Sequence, residues 1–224
     1  MNSTPRHPRL NTPFWRVSAL AVVVILMTAA GGSRADAPPP SVAALQHGWA
    51  QAYYAPDGTA REPAFQVLEA QAAKAVAELP GRAEPLIWQG IIESSHAKFA
   101  GSLAALSLIK QAREHLQSAE KIDANALDGS VYTSLGSLYA KAPGWPLAFG
   151  DRKLARSYLE KALKLNPDGI DPNYFYGELL VADGEREAGK ARLQHALAAA
   201  PRPGREDADN GRRAEIRSAL AALD

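Results

Sequence analysis

The chain has 224 residues, with 25 basic and 24 acidic side chains, 46% hydrophobic residues and no cysteine. That length holds one medium-sized domain and is short for two. The missing cysteine excludes disulfides, thiol nucleophiles and a lipid-modified N-terminal cysteine.

Arg6, Arg9 and Arg16 precede an uncharged, mostly apolar run from Val17 to Gly32, which is followed by the small residues around Ser33-Arg34-Ala35. Basic residues, a short apolar stretch and a small-residue exit form the pattern of a secretory signal peptide, and cleavage after Ala35 keeps Pro38 away from the cut. An uncleaved anchor is the competing reading, but the run is shorter than the roughly 20 residues a spanning helix needs. Residues 1–35 hold four arginines and no acid, so the mature chain carries 21 basic against 24 acidic residues, a net charge of −3. Such a chain has no electrostatic footing for nucleic acid or an anionic membrane. The expected organisation is a signal peptide over 1–35, a proline-rich spacer over 36–40 and one helical domain over 41–224, exported as a soluble periplasmic protein.

Punctuation then places nine helices. The first runs from Ser41, its expected N-cap, to Tyr54, and the second from Pro63 to Leu79. The third covers Ala83 to Lys98 and the fourth Ser102 to Ile122. Asp128 is the expected cap of the fifth, ending at Lys141, and Asp151 that of the sixth, ending at Leu165. Asp171-Pro172 starts the seventh, Asp183-Gly184 ends it, and the eighth covers Arg186 to Ala199. The ninth, Arg205 to Leu223, is rich in charge. No segment alternates with period two strongly enough to read as a strand.

The helices repeat. Ala155, Leu159, Ala162 and Pro167 are spaced by four, three and five residues, and Gly189, Leu193, Ala196 and Pro201 recur 34 residues later. Ala112, Leu116, Ala119 and Ala124 keep the spacing, as do Leu68, Ala72, Ala75 and Pro80. Gly90, Gly177 and Gly211 each follow a proline of this series by ten residues, and Gly136 follows Ala124 by twelve. A 34-residue period with small and large apolar residues closed by proline is the tetratricopeptide (TPR) signature. The expected fold is an all-α solenoid of about four helical hairpins, with Leu116, Leu135, Leu159, Leu163, Tyr176 and Leu193 in its core. The polar ninth helix is the expected end cap.

Catalysis and cofactors find little support. Gly184 to Lys190 fits G-x-x-x-x-G-K, but a phosphate loop follows a buried strand and needs Ser or Thr after the lysine, where Ala191 stands. Aligning Gly211 with the glycine of a calcium loop puts Ala208 and Arg217 on positions that need oxygen ligands. His47, His96, His115 and His195 are scattered one per helix, and no nucleophile elbow is present. No catalytic, cofactor or metal residue is assigned.

Departures from the bare repeat are the functional candidates. About seven extra residues fall in Lys141 to Gly150, and about ten around Ser94 to Ser102, measured against the 34-residue unit. Insertions in repeat arrays map to loops on one face, often the binding face. Positions one after and three before Gly90, Gly136 and Gly177 are expected on the concave side: Ile87, Ile91, Thr133, Ser137, Tyr174 and Glu178. Trp145 and Phe149 either fold back as a structural plug, the favoured reading, or project over the groove as a binding element.

The run Leu135-Gly136-Ser137-Leu138-Tyr139, the insert Pro143-Gly144-Trp145-Pro146 with Phe149-Gly150-Asp151, and Asn166 to Gly177 resemble a family of proteobacterial periplasmic TPR proteins. Pro201 to Arg205 and Gly211-Arg212-Arg213 share the likeness, which spans Trp88 to Leu223. More distantly the chain is similar to the T component of tripartite ATP-independent periplasmic (TRAP) transporters, an all-helical repeat protein thought to pair with a periplasmic substrate-binding protein. Lipoprotein members of that group carry a lipidated cysteine, which this chain lacks. The resemblance implies a non-catalytic scaffold or adaptor for a protein or peptide. A small-ligand receptor with an aromatic-lined groove or pore is the alternative.

Overall fold

The computed structural model describes residues 1–2, 38–56 and 60–223, and the expected signal peptide lies outside them apart from Met1 and Asn2. The described residues from 38 onward form one compact unit. Its described residues hold α1 (Pro40–Tyr53), α2 (Arg61–Glu78), α3 (Ala83–His96), α4 (Ser102–Ile122), α5 (Ala126–Lys141), α6 (Arg152–Leu165), α7 (Ile170–Ala182), α8 (Arg186–Ala198) and α9 (Glu206–Ala221). Successive pairs form four antiparallel hairpins, and α1, α3, α5 and α7 lie side by side along the stack.

One packing device repeats in every hairpin. A Cβ built on Gly48 would sit 2.7 Å from Leu68 Cδ2, and one on Gly90, Gly136 or Gly177 would lie 2.6, 2.6 or 2.9 Å from Cγ of Leu116, Leu159 or Leu193. A leucine of each second helix therefore occupies the space above a glycine of the first, closer than any side chain there would permit. Leu116, Leu159 and Leu193 are at most 1% exposed, as buried leucines in close-packed cores should be. The Gly48–Leu68 pair extends the glycine series to the first hairpin.

Capping is explicit at two helix ends. The Asp151 carboxylate accepts from Leu154 N at 3.0 Å, the expected N-cap of α6. Helix α7 ends in a Schellman turn: Gly184 takes φ +88°, Glu185 N donates to Leu180 O at 2.9 Å and Gly184 N to Val181 O at 3.1 Å. Gly189 meanwhile packs on Val181. Both glycines of the G-x-x-x-x-G-K match thus have structural duties on helices.

Three expectations are corrected. Helix α1 starts at Pro40 with Pro39 as its cap residue, because proline suits the first turn and its fixed φ extends the helix past Ser41. Asp128 makes no side-chain cap; Leu127, Asp128 and Gly129 all take left-handed conformations, with φ of 52°, 55° and 72°. Leu163 and Tyr176 are only half-buried, and the Tyr176 hydroxyl donates to Glu160 Oε1 at 3.2 Å instead of entering the core. The ninth helix caps the last hairpin and does more. It packs on α8 and α7 and also reaches α1, where Ala208, 1% exposed, joins the cluster of Val42, Leu45, Trp49, Phe65 and Trp88.

Candidate functional site

The closure of α9 on α1 is built from charge as well as apolar contact. Asp171 at the start of α7 accepts from Arg202 Nη1 at 2.7 Å through one oxygen and from Arg212 Nε at 2.8 Å through the other. Asp209, 1% exposed, accepts from the Arg202 backbone and side chain, both at 2.8 Å. Arg212 Nη1 donates to Glu215 Oε2 at 2.6 Å, and that oxygen also accepts from the Tyr54 hydroxyl of α1 at 3.2 Å. Burial alone would raise the Asp171 carboxyl, but Arg202 and Arg212 outweigh it and hold it well below the usual carboxylate range. Burial likewise opposes the Arg212 charge, and Asp171, Tyr54 and Glu215 override it. Arg212 also lies 4.5 and 4.8 Å from the ring centres of Tyr174 and Phe175. The network makes α9 part of the concave face.

Between this clasp and the first helices lies a cavity of about 530 Å³. Trp49 and Tyr53 of α1, Trp88 and Ile91 of α3, and Phe175 of α7 give it an aromatic and aliphatic wall. Serines and Thr133 along α5 supply hydroxyls, and Leu106 and Ile109 of α4 line another side. Trp49 Nε1 donates to Ser95 Oγ at 2.8 Å, which fixes the indole. Trp49 stacks on Tyr53 at 4.9 Å and meets Trp88 edge-on at 6.0 Å. Five cations line the cavity: Lys98, Lys141, Arg202, Arg205 and Arg212.

The insert separates the two roles expected for its aromatics. Gly150 N donates to Pro143 O at 2.8 Å and Asp151 N to Tyr139 O at 3.0 Å, pinning the loop at its base. Phe149 folds back, edge-on to Tyr139 at 5.3 Å and 4.2 Å beneath the Arg113 guanidinium. Trp145 is 90% exposed at the loop tip, and Leu147 beside it is 66% exposed while also lining the cavity. The plug reading thus describes Phe149; for Trp145 it is corrected, because the pinned loop base carries the indole outward.

Ile91, Thr133 and Ser137 line the cavity. Ile87 does not: it is fully buried in the central hairpin core, since three residues before Gly90 the helix faces its partner α4. Tyr174 and Glu178 lie beside the cavity. The Tyr174 hydroxyl donates to Glu178 Oε1 at 2.7 Å, and Glu178 pairs with Lys141 at 2.8 Å. Trp49, Trp88, Lys98, Arg202, Arg205 and Arg212 join the site without being marked by the repeat pattern, because their meeting depends on α9 returning to α1. The one available signal was the apolar pair Ala208 and Ile216, eight residues apart on one face of an otherwise charged helix.

Residues 147–210 match the tetratricopeptide repeat family. The glycine-on-leucine hairpins extend the same construction to α1–α6. The fold is a TPR-like solenoid. A crystal structure of a thermophilic TPR protein from Thermus thermophilus superposes on this solenoid with a TM-score of 0.55, covering 81% of this chain and 88% of that one at 17% identity. No curated protein matches the chain. A solenoid of this kind suggests a protein-interaction scaffold. Among its described residues no group of acidic, histidine or cysteine side chains is arranged to hold a metal ion, and no helix is long and apolar enough to cross a membrane.

Proposed function

We propose that the protein is a non-catalytic periplasmic adaptor that holds a small ligand in the concave cavity and presents the Trp145 edge to a protein partner. The observation that carries this reading is the closure of α9 on α1. An open TPR groove accommodates an extended peptide or helix, but here α9 fills part of that space. The remaining volume of about 530 Å³ lies within the roughly 300–1,000 Å³ of small-molecule sites. The leader pattern over residues 1–35 supports export. The likeness to TRAP T components makes a periplasmic substrate-binding protein the first partner to test.

The cavity is tested with the neutral apolar dye Nile red and the full chain. Saturable fluorescence enhancement is expected, and Ser134→Phe, which places a ring in the cavity, should abolish it while circular dichroism stays helical. Enhancement unaffected by Ser134→Phe would overturn the cavity as the binding place. A photo-crosslinking residue at position 145 tests the edge in cells: a discrete adduct with a substrate-binding protein supports the adaptor role, and its absence beside adducts from other surface positions argues against it.

A further inference from the structure

Arg212 sits in a fitted socket. Its Nε donates to Asp171 at 2.8 Å, and the rings of Tyr174 and Phe175 lie with their centres 4.5 and 4.8 Å from its guanidinium. One residue earlier, Gly211 rests on the Tyr54 ring, where a Cβ would come within 2.4 Å. Asp171, Tyr174 and Phe175 belong to α7 and Tyr54 ends α1, so the solenoid supplies the socket and α9 only fills it. Both ion-pair partners of Asp171, Arg202 and Arg212, come from α9 or the segment leading into it. Without that segment, Asp171 is a carboxylate among aromatic rings, and such a group calls for a guanidinium.

The hold on α9 is of an exchangeable kind. Its buried residues are Ala208, Asp209, Arg212 and Ile216, two of them charged. Buried ion pairs add little net stability over their desolvation, and one arginine helix can replace another without changing the charge pairing. Arg205, just before the helix, has a buried Nε with no acceptor. Burial first, and then Arg202, lower its pKa, which Asp171, Asp209 and Asp207 offset only in part. No side chain caps the start of α9. Residues 199–205 lead into it through Pro201, Pro203 and Gly204 at φ +72°, a spacer rather than a tight helical turn.

Resting on the adaptor reading above, we infer that α9 is an internal stand-in for a partner's helix, covering a second docking surface on α1 and α7. The partner is an amphipathic helix with an arginine for Asp171, Tyr174 and Phe175, and a glycine or similarly small residue one position earlier for Tyr54. Charge complementarity selects this occupant, because an acidic or neutral helix leaves Asp171 unpaired. The short tether holds α9 over the surface at a roughly millimolar effective concentration, so only a helix matching both features displaces it.

Fluorescence anisotropy of a labelled peptide spanning residues 202–222 tests this with the full chain as wild type, Gly211→Ala and Arg212→Gln. Each variant weakens the chain's own α9 and leaves Asp171, Tyr174, Phe175 and Tyr54 in place. Circular dichroism checks that the helices are kept, and either variant suffices. The peptide should bind the variants at least about tenfold more tightly than wild type, because the tethered competitor is weakened. Arg212→Gln in the peptide should weaken binding about tenfold, as for a lost charge-assisted hydrogen bond, whereas Arg217→Gln, at an exposed position, should not. Equal losses from both changes would reduce the contact to general charge attraction and overturn the socket. No binding to a helical variant overturns the stand-in, while the Nile red and crosslinking results still decide the adaptor reading. A wild-type dimer that the peptide dissociates would put a second copy on this surface and overturn the foreign helix.

Discussion

Gly211 of the last helix rests against the ring of Tyr54 in the first, so closely that a Cβ at Gly211 would lie 2.4 Å from two ring carbons. This contact joins the two ends of the hairpin stack and walls one side of the concave cavity. Gly211→Ala should push the ring aside and break its hydroxyl bond to Glu215. The expected cost is about 1–3 kcal/mol, as for overpacking elsewhere. Limited proteolysis near residues 199–205 should become faster, and Nile red binding weaker. Wild-type cleavage rates in the variant would show that α9 does not depend on this contact.

Asp171 holds two arginines at once, so Asp171→Asn should destabilise the fold by about 3 kcal/mol. That is the low end for breaking a buried pair, chosen because a quarter of the Asp171 side chain meets solvent. The pH dependence has a definite sign. Its folded pKa is depressed, so its contribution is present above the unfolded value of about 4 and is lost as pH falls from there through the folded value. Urea midpoints measured between pH 7 and 3 should fall less steeply at the acid end in the variant.

His115 has the opposite sign. Its hydrogen bond to Glu93, 2.9 Å away, raises its pKa above the usual value. Its contribution is therefore complete below about pH 6.5 and is lost as pH rises through the folded value. His115→Gln should remove that decline, read from urea midpoints at pH 6 and 8. An identical decline in wild type and variant would assign it to another group.

The two aromatics of the insert should separate cleanly. Trp145→Ala should leave the melting temperature within about 1 °C, because a 90% exposed side chain has little packing to lose. Phe149→Ala removes the cover over Tyr139 and Arg113 and should cost about 1–3 kcal/mol, below the full cost of a core phenylalanine because the ring is half-buried. Crosslinking or partner binding should follow the reverse order.

The hairpins were legible in the sequence because their determinants are local. Ala155, Leu159 and Ala162 mark one face of one helix, and Gly136 marks where its neighbour approaches. Asp151 and Gly184 announced their caps by residue type alone. Ile87 was misplaced because one helical face serves both the partner helix and the concave side, and a one-position error of angle moves a residue between them. The return of α9 was hidden for a different reason. Its buried residues include Asp209 and Arg212, which read as solvated until their partners Asp171 and Arg202 are brought together from other elements. Charges that neutralise each other across the fold leave no trace in a hydrophobic pattern. Without that return, the cavity could not be read as one site.

The bond from Tyr54 to Glu215 spans 161 residues of chain. In an open array each unit touches only its neighbours, so the ends fray separately and folding can begin anywhere and spread. A ring has no such freedom. The aromatic face of α1 stays incomplete until the C-terminal helix has arrived, which makes closure a late, long-range step of the kind that slows folding. Truncation before residue 206 should therefore loosen the first hairpin, at the far end of the sequence, as well as the last. Hydrogen exchange in α1 then reports on the C-terminus, and the two ends of this molecule should melt together.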